Sequence, residues 1–431
     1  MAGEAITIPL SELSIRITKG TTPTTLGYPF VDEGINFVKS EAISANGSIN
    51  PVTFAFIDEE AHAKLGRSQL KEGDVLFSMA GVYLGKTAVV HGSILPANTN
   101  QAVGIIRLDL EKAEPRFIHY TLSSPECRSW VLRSAAQSAQ PNFNLQDIGS
   151  LPIPAYKLPE QRAIAHILGT LDDKIELNRR SNQTLEAMAR ALFKDWFVDF
   201  GPVRAKMEGQ EPYLPADLWQ RFPERLDDEG KPEGWDERPL DEIADFLNGL
   251  ALQKFPATDS DDSLPVIKIA ELRNGISAKS DRASRDVPAK YIIKDGDFLF
   301  SWSGSLLAKF WTEGEGALNQ HLFTVTSERY PMWFVSHWVL HHLEEFQAIA
   351  ASKATTMGHI QRSHLKAAMT VCPPDDVVEK MGAMIAPLVE HAIQNELESR
   401  SLAQLRDTLL PKLISGELRI NEIDKSTWIS P

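Results

Sequence analysis

The chain has 431 residues, 43% of them hydrophobic and 24% charged, which is ordinary for a folded protein and long enough for more than one domain. A net charge of −14 sets it apart from the basic chains that usually bind nucleic acid, yet residues 1–157 carry 13 basic and 15 acidic groups and leave room for a basic face. No apolar run reaches the roughly 18 residues of a membrane span and the start lacks a charged-then-apolar leader; with two distant cysteines, Cys127 and Cys372, this predicts a cytoplasmic chain with free thiols and no membrane contact.

Residues 1–157 read as a mixed α/β globule. Short β-rich runs at Ile35–Ser40, Asp74–Ser78, Thr87–His91 and Val103–Leu108 are separated by Gly, Asn and Pro. Pro115–Leu132 carries helical spacing, with a break expected at Pro125.

Residues 158–200 follow as one long helix. Pro159 suits its start and Gly201-Pro202 its end. Ile164, Leu168, Leu171, Ile175, Asn178, Asn182, Leu185, Ala189, Leu192 and Trp196 recur at alternating three- and four-residue steps. That is a coiled-coil seam with a polar patch at its centre. About 37 helical residues at about 1.5 Å each make a rod of about 55 Å, too long for one compact domain, so it needs a partner helix.

Residues 201–238, rich in Pro, Gly and charge, read as a connector, and the acidic runs 227–237 and 257–262 as solvated loops. Residues 239–374 then replay the first globule. KEGDVLFSMAG (71–81) returns as KDGDFLFSWSG (294–304), FVKSEAISANG (37–47) is echoed by VIKIAELRNG (266–275), Asn100-Gln101 returns as Asn319-Gln320, and LPIP (151–154) aligns with TVCP (370–373). Residues 375–420 form the partner helix and 421–431 a tail. At a shift of 217 residues Leu168, Leu171, Ile175, Asn178, Leu185, Met188 and Leu192 fall on Ile385, Leu388, Ala392, Asn395, Leu402, Leu405 and Leu409. Pro411, opposite Lys194 in this alignment, predicts a bend or break in the last turn. The fold expected is therefore mixed α/β: two similar globules separated by two long helices in an antiparallel coiled coil, with pseudo-twofold symmetry.

Positions shared by the two copies are the candidate contacts: Lys39 with Lys268, Ser78 with Ser301, Lys86 with Lys309, Asn100 with Asn319 and Gln101 with Gln320. Lysine suits phosphate, and Asn or Gln can pair with adenine. AGVYLGKT (80–87) matches a loose phosphate-loop pattern, but a strand-like run follows where a helix is required, and the second copy lacks it. His337, His341 and His342 have no third ligand or adjacent glutamate of hydrolase spacing, so they read as surface or core histidines. No catalytic or metal constellation appears.

Two diverged globules on a constant helical scaffold suit the reading of two short DNA sequences. The central PEQRAIAHILGTLDDKIELNRRSNQTLEAMARALFKDWF, its later partner ending LRDTLLPKLISGEL, and the paired K-E/D-G-D-x-L-F-S segments resemble type I restriction–modification specificity subunits. The resemblance implies that the globules are target-recognition domains of a non-catalytic subunit that reads a bipartite, asymmetric site in double-stranded DNA. It implies as partners two modification (methyltransferase) subunits and restriction (translocase and nuclease) subunits. No cofactor is expected in this chain; S-adenosylmethionine, ATP and Mg would belong to those partners. A coiled-coil scaffold binding proteins alone is the alternative.

Overall fold

The computed structural model describes residues 6–44, 46–135, 143–258, 262–352 and 358–420. They fall into two units, residues 1–174 with 402–431 and residues 175–401. The expected tail at 421–431 and the centre of the 257–262 run lie outside the described residues.

The first unit is built on a four-stranded antiparallel sheet, in the order Ser14–Lys19, Val103–Leu108, Val75–Ser78 and Thr87–Val89. Alternation along these strands sorts their side chains. Val75, Phe77, Ile106 and Leu108 bury against Phe117, Ile118 and Leu122 of the helix Pro115–Ser123. Leu76, Ala88, Val103 and Ile105 face the other way and pack with Val38, Ile43 and Ala97. Val38 and Ala97 belong to a three-stranded sheet, Ala55–Ile57, Ile35–Val38 and Ala97–Thr99, whose second and third strands are parallel. The helical stretch breaks before Pro125, as its sequence predicts, and resumes over Pro125–Ala135.

The second unit repeats this plan. Its first sheet runs Asp245–Asn248, Leu322–Thr326, Phe298–Ser301, Ala308–Phe310; its second pairs Ser263–Ile267 in parallel with Gly316–Leu318. One helix, Met332–Ser352, carries the apolar face that buries Trp333, Phe334, Trp338 and Phe346.

Both units take part of each long helix, Leu158–Phe193 and Asp375–Ser415. In the first unit Ile164, Ala165 and Leu168 pack with Leu410, Leu413 and Ile414. Asp172 ties the seam to the globule, accepting from Arg406 Nη1 at 2.7 Å and from the Tyr120 hydroxyl at 2.6 Å. In the second unit the two helices run antiparallel, because rising numbers on one meet falling numbers on the other. Asn178 Nδ2 donates to Glu398 Oε2 at 2.8 Å, Asn182 Nδ2 to the Ala392 carbonyl at 3.0 Å, and Asn395 Nδ2 to Asn182 Oδ1 at 2.9 Å. Buried amides that satisfy one another fix register, since a slip would leave them unpaired.

The residues of the expected seam are buried to different degrees. Leu168 and Ile385 are fully buried, while Leu171, Ile175, Leu185, Leu192, Leu388, Leu402 and Leu409 are half-buried. Met188 and Leu405, matched by the repeat, are 49% and 47% exposed and lie outside it. Three details differ from expectation. Pro411 does not break the second helix, which runs to Ser415 and stops at Gly416 with φ 77°; burial of Leu410, Leu413 and Ile414 around the proline holds the turn despite its missing N–H. The first helix is regular only to Phe193 and widens into a π turn over Lys194–Val198, which drives Trp196 and Phe197 into the second unit's core. Residues 201–238 are less loop-like than their composition: Gly201–Met207 and Ala216–Trp219 are short helices, and Val203, Leu218, Phe222 and Trp235 are buried with that same core. Among the described residues no helix is long and apolar enough to cross a membrane.

Candidate nucleic-acid interface

In the first globule four segments meet at one end of the four-stranded sheet. Gly20–Thr22 leaves the strand Ser14–Lys19, Met79 leaves Val75–Ser78, the turn Asn100–Ala102 leads into Val103–Leu108, and Phe143–Asn144 leads into the helix Leu145–Gly149. Backbone bonds weld them: Gly20 N–H to the Val103 carbonyl at 3.2 Å, Thr21 N–H to Thr99 at 3.1 Å, Met79 N–H to Ala102 at 2.8 Å, and Phe143 N–H to Met79 at 2.9 Å. A Cβ on Gly20 would lie 2.0 Å from the Thr99 carbonyl oxygen, so only glycine allows this approach. The result is a concavity of about 550 Å³ lined by Lys19, Met79, Gln101, Asn144, Leu145 and Gln146.

The second globule reproduces the scaffold bond by bond. Gly249 N–H reaches the Leu322 carbonyl at 3.0 Å, Leu250 N–H reaches Leu318 at 3.0 Å, Trp302 N–H reaches His321 at 3.3 Å, and Ile360 N–H reaches Trp302 at 3.0 Å. A Cβ on Gly249 would meet the Asn319 carbonyl oxygen at 2.3 Å. These bonds and the strand registers equate Lys19 with Asn248, Met79 with Trp302, Ala102 with His321, Gly104 with Phe323, Asn144 with Gln361 and Leu145 with Arg362. The side chains on this common frame are different. Trp302 Nε1 donates to Asn248 Oδ1 at 2.8 Å, Ser303 Oγ lies 3.0 Å from His321 Nδ1, and Arg362 Nη2 donates to the Phe246 carbonyl at 3.0 Å.

Of the residues singled out in the sequence, Asn100, Gln101, Asn319 and Gln320 sit in these turns. Asn100 Oδ1 accepts from Ala102 N–H at 3.1 Å, and Gln101 Oε1 accepts from Thr22 N–H and hydroxyl. Asn319 Oδ1 accepts from His321 N–H at 3.2 Å. The two asparagines thus shape the turns, and the two glutamines are set beside them. Lys39 and Lys268 are equivalent as expected: each follows a strand paired in parallel with the strand that enters the turn. Lys39 Nζ lies 4.9 Å from the Phe30 ring centre and 4.0 Å from Glu41, and Lys268 pairs with Asp281.

Two pairs need correction. Ser78 and Ser301 are completely buried and cannot touch a ligand; Ser301 Oγ instead accepts from Leu307 N–H at 2.8 Å and closes its own loop. Lys86 and Lys309 are not equivalent. Ser78 N–H bonds the Lys86 carbonyl where Ser301 N–H bonds that of Leu307, so the second loop is two residues shorter and Lys309 matches Ala88. Lys86 Nζ lies 4.9 Å from the Tyr83 ring centre, whereas Lys309 Nζ is 3.9 Å from Glu396 of the long helix. The same test moves the LPIP alignment. Leu10 N–H bonds Leu151 where Leu240 N–H bonds Ala368, which equates Pro152 with Met369 at an offset of 217.

Met79, Trp302, Asn144, Gln361 and Arg362 were missed. Extending the constant 217-residue offset upstream from the helix would have paired Asn144 with Gln361. The histidines are occupied structurally: His337 Nδ1 lies 2.7 Å from the Trp333 carbonyl oxygen, and His342 Nε2 lies 2.9 Å from that of Met369. Gly81–Tyr83 is a tight turn followed by the strand Thr87–Val89, not the helix a phosphate loop requires.

The family description "Type I restriction modification DNA specificity domain" matches residues 14–187 and again residues 232–402, once for each copy of the frame. The chain belongs to that family. The specificity subunit is similar to the "Type I restriction enzyme MjaIX specificity subunit" of Methanocaldococcus jannaschii, 26% identical over 346 residues, covering 76% of this chain and 74% of that one. It is also similar to the "Type I restriction enzyme HindI specificity subunit" of Haemophilus influenzae, 23% identical over 403 residues, covering 82% and 88%. The crystal structure of the type I restriction–modification S subunit from M. genitalium shares the fold, with a TM-score of 0.54 and 15% identity over 95% of each chain. The part of this subunit in its system is DNA recognition, and it is a non-catalytic component.

Proposed function

We propose that each globule of the specificity subunit reads one half of a two-part, asymmetric DNA site, using the rim of the turns at Gly20–Thr22, Met79, Asn100–Ala102 and Asn144 in the first and their equivalents in the second. One observation carries this reading: an identical backbone frame presents Lys19, Met79, Ala102 and Leu145 in one globule and Asn248, Trp302, His321 and Arg362 in the other. A shared frame with unlike side chains is what two independent base preferences require. Lys39 and Lys268, common to both, supply phosphate contacts. Two modification subunits and the restriction subunits assemble on this chain, and S-adenosylmethionine, ATP and Mg are bound by them.

The test is base-resolved methylation of DNA from cells carrying the system, together with binding of the assembled methyltransferase to DNA across salt concentrations. The expected result is one two-part motif with unrelated halves and affinity that falls steeply with salt. A contiguous motif, or binding indifferent to salt, would overturn the reading.

A further inference from the structure

Arg362 lies on the rim of the second globule and its side chain is exposed, whereas at the rim of the first globule Arg67, from a different part of the frame, donates Nη2 to the Thr21 hydroxyl at 3.0 Å. The Arg362 guanidinium is nevertheless held in place. Nη2 donates to the Phe246 carbonyl at 3.0 Å, and Cζ lies 5.7 Å from the centre of the Phe323 ring. A backbone acceptor and an aromatic plane together fix both the position and the tilt of the fork. Phe246 and Phe323 are themselves fixed, 5% exposed each, with ring centres 5.8 Å apart. Ile360, two residues before the arginine, is bonded to the Trp302 loop through its N–H.

The duplicated frame separates the two things an arginine here could do. A phosphate contact is independent of sequence and is wanted in both globules, as Lys39 and Lys268 are. Arg362 has no such counterpart: Leu145 stands at its place in the first globule, half-buried and packed on the core, and Gly104 stands where Phe323 supports the guanidinium. The arginine and its aromatic rest therefore occur together in one globule and are replaced together in the other. A planar fork pre-oriented at this place in the frame in one reader and absent from the same place in the other fits a base edge. Guanine, with O6 and N7 side by side in the major groove, is the base that takes a bidentate arginine.

We propose that Arg362 reads a guanine in the half-site recognised by the second globule, with Phe323 and the Phe246 carbonyl as its positioning groups. This rests on the assignment of that globule as a DNA reader. In the assembled methyltransferase, the wild-type motif is expected to contain a guanine in one half that Arg362→Ala relaxes to other bases, with discrimination there falling about ten- to a hundredfold. The other half of the motif stays as it was. Arg362→Lys keeps the charge and the stem but not the fork, so it is expected to relax the same position while retaining most of the affinity for DNA in general. Melting temperatures of both variants near wild type show that the fold is kept. The proposal is overturned if Arg362→Lys preserves the full motif, or if Arg362→Ala weakens binding equally to all sequences, either of which marks a phosphate contact. A wild-type complex with no two-part motif would instead strike the DNA-reading assignment itself and take this proposal with it.

Discussion

The two globules share a backbone and almost none of the chemistry displayed on it. At the rim, Lys19, Met79, Ala102, Gly104 and Leu145 of one become Asn248, Trp302, His321, Phe323 and Arg362 of the other, while Gly20 and Gly249 keep the same close approach to a turn carbonyl. Attachment to the long helices differs too. In the second unit Arg400 donates to both carboxylate oxygens of Asp295 at 2.8 and 2.7 Å and also bonds the Thr312 carbonyl. Glu72, which holds the matching place before Val75–Ser78, is exposed. At the rim the copies share what the backbone needs and differ in most of the side chains set around it, with Lys39 and Lys268, and Gln101 and Gln320, held in common.

That division is broken most severely at the glycines. Gly20→Val and Gly249→Val each force side-chain atoms into a carbonyl, and each should cost on the order of 3 kcal/mol with loss of recognition by its own globule. Melting temperature and methylation motif check this, and equal damage in both globules is the expected outcome. The anchor gives the next effect, and on one side only. Arg400→Ala should cost about 2 kcal/mol, the size of a bidentate hydrogen bond to a charge that is only partly exposed. Its hydrogen bonds hold the Asp295 carboxyl below the usual carboxylate range. A depressed acid stabilises the fold fully above the ordinary value of about 3.9 and loses that contribution as pH falls through the lowered one. The gap in melting temperature between wild type and Arg400→Ala should therefore close in strong acid.

The helices and the repeat were legible because they rest on periodicity, which burial enforces along the whole seam from Leu168 to Leu192. The rim was legible only in part. Asn100 and Asn319 survive duplication because their side chains shape a turn, and that made them visible. Trp302 and Arg362 stand opposite the unlike residues Met79 and Leu145, so a search for positions that the two copies share passes over them. Counting residues failed inside loops for a related reason: a loop can lose two residues without disturbing the strands, and that deletion made Lys309 look like Lys86. Hydrogen bonds at Ser78 and Ser301 restore the register that counting lost.

The smallest effects test that register. Lys39→Ala and Lys268→Ala should each make the salt dependence of DNA binding shallower by about one, leaving the motif unchanged. Lys268 already pairs with Asp281, whereas Lys39 is 4.0 Å from Glu41, so the loss of affinity should be smaller at Lys268. Lys86 and Lys309 carry the finest distinction. A shared phosphate role, as the ungapped alignment suggests, would give both alanine variants the same shallower slope. The structure gives Lys309 a different neighbourhood, on the strand Ala308–Phe310 with its ammonium beside Glu396 of the long helix. Lys309→Ala should then leave the slope at its wild-type value and alter only thermal stability, by about 0.5 kcal/mol, as for a partly exposed pair. Lys86, on the loop that follows Ser78, should still shallow the slope. Binding of the two variants to one DNA at several salt concentrations decides it, and equal slopes for the pair would mean that the alignment by counting, not the one by hydrogen bonds, describes how the two globules correspond.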